Sequence, residues 1–393
     1  MSSIPPIDTR AVAHAGMLAL QKGDAQAALG FFDQIVAAGR ADATLWLAIA
    51  RARSALGDKP GRLAAIDEAL KLEPRSLGGV MMKGDHFAEA GDHRTASVYY
   101  TAVARAVPPG AKAPPEVQQE VARAQAAVER FAREFEDYIR AELERAGFAE
   151  GKAPARFSRA VDILVGKRQA YQQEPRYLFY PELAPAQFFA REAFPFLDRV
   201  EAAYADVRSE LEAVLAESNQ FAPYVEVDPR RPDNTQRGLA GNPSWSAYYM
   251  IKEGSPGPGA VTCPKTMEAV AEAPLCSIEG RAPGVLFSRL TPGAVIPPHT
   301  GVLNARLICH LPLIVPEGCE FRVGNEQYAW VEGKAWVFDD TIEHEAWNRS
   351  DRDRTILIFD IWRPDVSEDE RAAIVALCRV VDQYGGAATP WDA

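Results

Sequence analysis

Histidine is scarce in this chain and unevenly spread: there are six in 393 residues, and none between Thr95 and Pro298. Cysteine is scarcer still, with five residues, an odd number, and no C-x-x-C spacing. That excludes a zinc-finger framework and a disulfide scaffold, and fits reduced thiols in a cytoplasm. Cys309 and Cys319 fall in strand-like runs and read as small buried hydrophobes. Positive charge is in deficit, with 43 Lys and Arg against 54 Asp and Glu, a net charge of −11. A nucleic-acid protein would carry a basic stripe instead, so no nucleic-acid partner is expected. No apolar run reaches membrane-spanning length, and the opening MSSIPPIDTR lacks the apolar core of a secretory signal. Neither a membrane nor a secretory role is therefore expected. What is present is a globular composition, 47% hydrophobic and 25% charged, on a chain long enough for two or more domains.

The N-terminal third repeats itself. Gly-Asp recurs at 23–24, 57–58 and 91–92, a period of 34 residues. In phase with it, a small residue precedes each Gly by seven positions (Gly16, Ala50, Gly84), and a large apolar residue follows by nine (Phe32, Ile66, Tyr100). Ala28 and Ala96 share another repeating position, which Arg62 takes in the second unit. Pro74 and Pro108 close the second and third units. The pattern resembles the tetratricopeptide repeat, a helix–turn–helix unit of this period. Small residues let paired helices approach, and large ones fill the space. Such an array either packs on a neighbouring domain or offers a groove for a protein partner.

After the Pro-rich linker VPPGAKAPPEV, apolar residues from Val117 to Leu143 recur at helical spacing, predicting one long helix from Pro115 to Ala146. Further helix is expected near Ala155–Tyr171 and Leu197–Glu217, on either side of the aromatic stretch YLFYPELAPAQFFAREAFPF. A charged loop, Asp228 to Asn242, could shape substrate entry or be plain surface.

From Gly284 to Pro364 the texture changes. VLFSRL, RLICHLPLIV, CEFRV, QYAW, KAWVF and TILIFDIW are short β-type runs cut by turn signals. They predict an antiparallel sandwich or jelly roll. Three of the six histidines, His299, His310 and His344, lie here. His299 follows Pro-Pro at a strand mouth and His344 enters a late strand, positions that can meet at the open end of a jelly roll. Paired neutral imidazoles are good ligands for a transition metal. The carboxylate of a two-His-one-carboxylate triad is missing, because HTG places Gly301 two residues beyond His299. Asp339, Asp340, Glu343 and Glu345 flank His344 as outer groups or surface charge. Arg354 opens the last strand, where its fork could grip a carboxylate or pair with Asp351 or Asp353. Arg306 and His310, four apart, share one face of their strand. Ser288 could add a hydroxyl. This set suits a metal centre that chelates a 2-oxo acid.

At these residues the chain resembles the aspartyl/asparaginyl β-hydroxylase family of Fe(II)/2-oxoglutarate dioxygenases. The resemblance covers about 70 residues, from PGAVIPPHTG to FDIWRP. It rests on H-T-G…N-x-R…H-L-x-L, FDD-x-x-x-H-E and D-x-W-x-P, with weaker likeness upstream to NPSWSAYY and REAFPFLD. It implies a double-stranded β-helix with His299 and His344 as the only protein ligands of Fe(II), so that Gly301 is a match. It further implies Ser288 and Arg354 on the distal carboxylate of 2-oxoglutarate and His310 near the other end. Arg306 would lie beside the co-substrate or a substrate carboxylate, as a catalytic group. The implied reaction consumes O2 and 2-oxoglutarate, releases succinate and CO2, and hydroxylates an unactivated C–H of a peptide, protein or amino-acid-derived substrate. One departure bears on that substrate: R-x-R-x-H reads R-x-I-x-H here, with Ile308 in the second Arg position.

The expected organisation is α+β: helical repeats over 1–108, a linker and long helix over 109–154, and a dioxygenase domain over 155–393 with its β core at about 243–364. Two other readings remain, a non-catalytic repeat protein with a degenerate jelly roll and a cupin-like metalloenzyme that uses no 2-oxo acid.

Overall fold

We describe the fold from a computed structural model that covers residues 8–108, 110–217, 220–227 and 240–384. Most of the charged 228–242 loop lies outside the described residues. The chain divides into two units, Met1–Arg168 and Gln169–Ala393.

The first unit is all helix: α1 (Thr9–Gln21), α2 (Ala25–Ala37), α3 (Ala43–Ala55), α4 (Lys59–Leu72), α5 (Leu77–Glu89), α6 (His93–Ala104), α7 (Pro115–Arg145) and α8 (Ala155–Leu164). The 34-residue period is a row of three antiparallel hairpins. At each turn the Gly takes positive φ (82°, 72° and 79° at Gly23, Gly57 and Gly91), and the following Asp caps the next helix. Each such cap contributes about 1 kcal/mol. The small position is steric: a Cβ at Gly16 would run into the Phe32 ring, and one at Gly84 into Tyr100. Arg62, which breaks the Ala pattern, is buried and pairs with Glu89 at 2.7 Å. The division into compact units falls at Arg168. Helix α8 belongs to the first unit, where Arg140 of α7 holds Asp162 at 2.9 Å and Glu136 binds Lys167.

The second unit comprises α9 (Leu197–Ala202), α10 (Tyr204–Ala216), β1 (Ala222–Pro223), β2 (Trp245–Lys252), β3 (Ser255–Pro256), α11 (Gly259–Thr262), α12 (Pro264–Val270), β4 (Val285–Leu290), β5 (Val295–His299), β6 (Arg306–Ile314), β7 (Cys319–Val323), β8 (Glu326–Tyr328), β9 (Trp336–Phe338), β10 (His344–Asn348), β11 (Arg354–Trp362) and α13 (Glu368–Gln383). The strands form two antiparallel sheets. The larger runs β1-β2-β4-β11-β6-β9 with β3 added on β2, and the smaller runs β5-β10-β7-β8.

Both faces of the larger sheet are covered, which explains why RLICHLPLI and TILIFDIW do not alternate apolar with polar. Leu307, Cys309, Leu311, Leu357, Phe359 and Ile361 pack toward Leu197, Val200, Val207 and Leu211 of α9 and α10. The alternate residues Ile308, Ile356, Ile358, Leu286 and Leu290 meet Phe321, Val323, Ile296 and Ala346 of the smaller sheet. Strand period then puts Ser288, Arg306, His310 and Arg354 on that same inner face. An extended strap ahead of α9 runs along the mouth between the sheets. Its Glu174 N–H donates to Thr341 O at 2.8 Å, Arg176 to Gly301 O at 2.9 Å and Leu178 to Val302 O at 3.0 Å.

Candidate active site

The site grows from a strand pair. His299 at the end of β5 lies directly opposite His344 at the start of β10, and their ring centroids are 4.0 Å apart. The register slips between His344 and Ala346, where β5 carries the Pro297-Pro298 pair. Proline has no N–H for the ladder, so an irregularity there is natural. Each imidazole is oriented by a carbonyl two residues earlier: Pro297 O accepts from His299 Nδ1 at 2.8 Å, and Ile342 O from His344 Nδ1 at 3.1 Å. With the proton on Nδ1, each Nε2 carries the lone pair a metal needs. Burial and the neighbouring His299 hold the His344 imidazole well below its ordinary pKa, so it is neutral at pH 7.

The segment leading to His344 is fixed by buried polar groups. Asp339 accepts from Thr341 N at 3.0 Å, from Gln173 Nε2 at 2.5 Å and from Arg363 Nη1 at 3.2 Å. Gln173 in turn accepts from Asn304 Nδ2 at 3.0 Å. Asp340 fills the place of the absent triad carboxylate. A Cβ on Gly301 would overlap the Asp340 carboxyl group, and Gly301 N–H donates to Asp340 O at 2.6 Å. One Asp340 oxygen meets Arg306, while the other, Oδ1, is buried without a hydrogen-bond partner. Burial is the main cause that raises the Asp340 pKa, to about 6, against the pull of Arg306.

Arg354 is the sharpest feature. It is 1% exposed, and its Nε and Nη1 have no hydrogen-bond partner. Among the described residues no carboxylate pairs with it, so the turn pairing with Asp351 or Asp353 does not form. Its guanidinium lies 4.7 Å from the centre of the Trp330 ring. Burial lowers its pKa to about 10, so it keeps its proton at pH 7. A buried cation lacking a counter-charge is costly, and marks a place that an anion completes. Ser288 Oγ accepts from Trp245 Nε1 at 3.1 Å, which leaves the hydroxyl proton to donate elsewhere. His310 is buried among Phe321, Trp336 and Phe338, its Nδ1 unpartnered, its pKa pushed well down by burial and by Arg354.

His299, His344, Ser288, Arg306, His310 and Arg354 all line one cavity of about 360 Å³. The six sequence candidates are thus brought together. Arg306 lines the cavity with its charge already offset by protein carboxylates. Its Nη2 pairs with Asp340, and its Nη1 lies 3.5 Å from Asp360, so two carboxylates already offset it. Sequence reasoning did not assign Trp245, Trp330, Gln173, Glu174 or Arg176 to this site. Only Asp340, inside the FDD motif, carried a signal.

Two carbonyl-oriented imidazoles and an unpartnered guanidinium line one cavity, and could hold a metal and an anion respectively. Among the described residues, no group of three or more His, Cys, Asp or Glu is gathered for a metal. Residues 201–364 match the family described as aspartyl/asparaginyl beta-hydroxylase. That match lies within the second unit and takes in the histidine pair, so this part of the chain is similar to the family. The ornithine lipid ester-linked acyl 2-hydroxylase of Rhizobium tropici is 31% identical over 191 residues, 48% of this chain and 64% of that one. Human aspartate beta-hydroxylase domain-containing protein 2 is 30% identical over 208 residues, 51% and 54% of the two chains. Human aspartyl/asparaginyl beta-hydroxylase is 36% identical over 138 residues, 34% and 18%. The chain therefore spans between about half and just under two thirds of the length of the first curated relatives it matches.

Proposed function

We propose that the chain is an Fe(II)/2-oxoglutarate-dependent hydroxylase whose two-sheet unit is a double-stranded β-helix. The observation that carries this reading is Arg354, a buried and unpaired guanidinium in the same cavity as the histidine pair. A 2-oxo acid with a second carboxylate fits both ends: an α-keto acid for a metal on His299 and His344, and a distal carboxylate for Arg354 and Ser288. Nε and Nη1, both buried without a partner, leave guanidinium N–H donors for a carboxylate to accept from. The Ser288 proton supplies a third donor. When bound, iron(II) with the 2-oxo acid and O2 supplies the oxidising power that inserts oxygen into a C–H bond, leaving succinate and CO2.

The chain's own part is to bind, orient and exclude water. Pro297 O and Ile342 O fix both imidazoles as Nε2 donors. Asp340, whose carboxyl group fills the space beside Gly301, leaves Oδ1 as a buried acceptor without a partner. His310, buried and kept neutral, would pack beside the co-acid. The substrate reading is a peptide, protein or amino-acid-derived molecule, with the groove of the helical repeats offered to a protein partner. Oxygen-dependent succinate formation from 2-oxoglutarate with added Fe(II) tests the reading, with and without cell extract. Succinate that rises with extract and vanishes in His344→Ala supports it. No Fe(II) or 2-oxoglutarate binding by the wild type sinks it.

A further inference from the structure

Ser288 sits on β4 between two strands that each send a nitrogen donor into the cavity lining. On one side, Trp245 of β2 lies opposite Leu290, and Ala247 lies opposite Ser288. On the other, Arg354 of β11 also lies opposite Leu290, and Ile356 opposite Ser288. Strand period therefore sets both Trp245 and Arg354 diagonally across from the Ser288 hydroxyl, within reach of long side chains. All three residues are buried and line the cavity. Trp245 uses that reach: its Nε1 donates to Ser288 Oγ at 3.1 Å. The indole is held in turn by Tyr224, which stacks on it with ring centroids 4.1 Å apart, and whose N–H donates to Trp245 O at 2.9 Å.

The Trp245 bond has a direction. An indole N–H only donates, and so does a guanidinium, whereas a hydroxyl both donates and accepts. With Trp245 donating to it, Ser288 acts as the acceptor there, and its proton is left for another group. Among the described residues no acceptor takes that proton, and Nε and Nη1 of Arg354 are likewise without a partner. This end of the cavity therefore holds unspent donors from two adjacent strands. A carboxylate meets them with lone pairs on both oxygens. A primary amide has one accepting oxygen, and its NH2 would be set against Arg354 or Ser288 whichever way it is turned. Ser288 can take that NH2 only by leaving its own proton without an acceptor, which is costly in a buried place.

We propose that Trp245 is a positioning residue that fixes the polarity of the Ser288 hydroxyl, so that the co-acid site refuses a terminal group that carries its own hydrogen-bond donor. The proposal rests on the 2-oxoglutarate reading and deepens it, by naming the residue that tells a distal carboxylate from its uncharged amide. Arg354 favours any anion through its charge. Trp245 acts through Ser288 and adds a second criterion, an acceptor on both sides of the terminal carbon.

The test uses the full-length protein with Fe(II) and two inert ligands, so that binding is read without turnover. N-oxalylglycine has NH in place of one methylene of 2-oxoglutarate and keeps the distal carboxylate. N-oxalylglycinamide carries a primary amide there instead. Calorimetry gives both Kd values and their ratio, amide over acid. Replacing Trp245 by benzothienylalanine keeps the ring shape and puts sulfur where the indole has N–H; Trp245→Phe removes the donor with natural chemistry. Each is expected to lower the ratio by about fivefold, while the Kd for N-oxalylglycine changes less than about threefold. In a Ser288→Ala background the same replacements should leave the ratio unchanged, because the effect passes through the hydroxyl. A Tm for each protein shows that it is folded. Detection of the amide by the variants alone counts as the expected fall. Four outcomes overturn the proposal while leaving the 2-oxoglutarate reading intact: a ratio unchanged by both replacements, an equal loss of both ligands, a fall of the same size without Ser288, or an amide that none of the proteins binds. If the wild type binds neither N-oxalylglycine nor 2-oxoglutarate, both readings fall.

Discussion

Arg354, Gly301 and His310 each carry a consequence that one substitution can expose. Arg354 is held without a counter-ion, so its charge burdens the empty fold. Arg354→Met keeps the bulk and removes the charge. It is expected to stabilise the ligand-free protein by about 1–3 kcal/mol, seen as a raised Tm, while abolishing the further rise that 2-oxoglutarate gives the wild type. At Gly301 the neighbouring Asp340 carboxyl group fills the space a side chain would need. Gly301→Ala should therefore destabilise the unit, and should cost less when Asp340→Ala is already present. A double-mutant cycle by denaturant titration would show a coupling of about 1 kcal/mol or more. His310 bears on pH dependence. Burial depresses its folded-state pKa below the unfolded value of about 6.5. Below that pH the unfolded chain takes up a proton that the folded chain refuses, so this stability is present above about 6.5 and lost on acidification. Between pH 6.5 and 5, His310→Gln should lose stability less steeply than the wild type, by up to about 1.4 kcal/mol per pH unit.

At the scale of the element, the strap that precedes α9 is as much a part of the site as the strands. Its Gln173 joins Asn304 to Asp339, and Asp339 anchors the turn that delivers His344. Gln173→Leu would strand two buried polar partners. We expect a loss of about 1–3 kcal/mol and Fe(II) binding weakened by about tenfold, the latter measured on protein that remains folded. This element was illegible in the sequence. Its backbone bonds go singly to loops and strand ends, so it has no period of its own, and YLFYPELAPAQFF showed only a Pro-broken aromatic run. The repeats were legible for the opposite reason: Gly-Asp turns, the Gly16–Phe32 contact and the Gly84–Tyr100 contact recur at a fixed spacing and leave a periodic trace. The strands holding Ser288, His310 and Arg354 were legible too, as continuous apolar runs, because the sheet is covered on both faces. What no run could disclose was charge pairing. Arg306 and Arg354 look alike in the sequence, yet one meets two aspartates and the other none.

Across the molecule, ligand effects should be confined by the division into two units. With Fe(II) present, 2-oxoglutarate at 100 times its Kd would add about 2.7 kcal/mol to whatever unfolds with the site. Hydrogen exchange should show that added protection in β4, β5, β6, β10 and β11, and little change in α1–α6. Three of the chain's seven tryptophans also surround the buried arginine and its neighbours: Trp330 lies over Arg354, Trp245 bonds Ser288, and Trp336 packs on His310. The protein thus carries its own optical gauge. Emission excited at the indole band should change in intensity as a dicarboxylate settles beside Trp330, with no label attached, and an Arg354→Met protein should stay dark to the same titration.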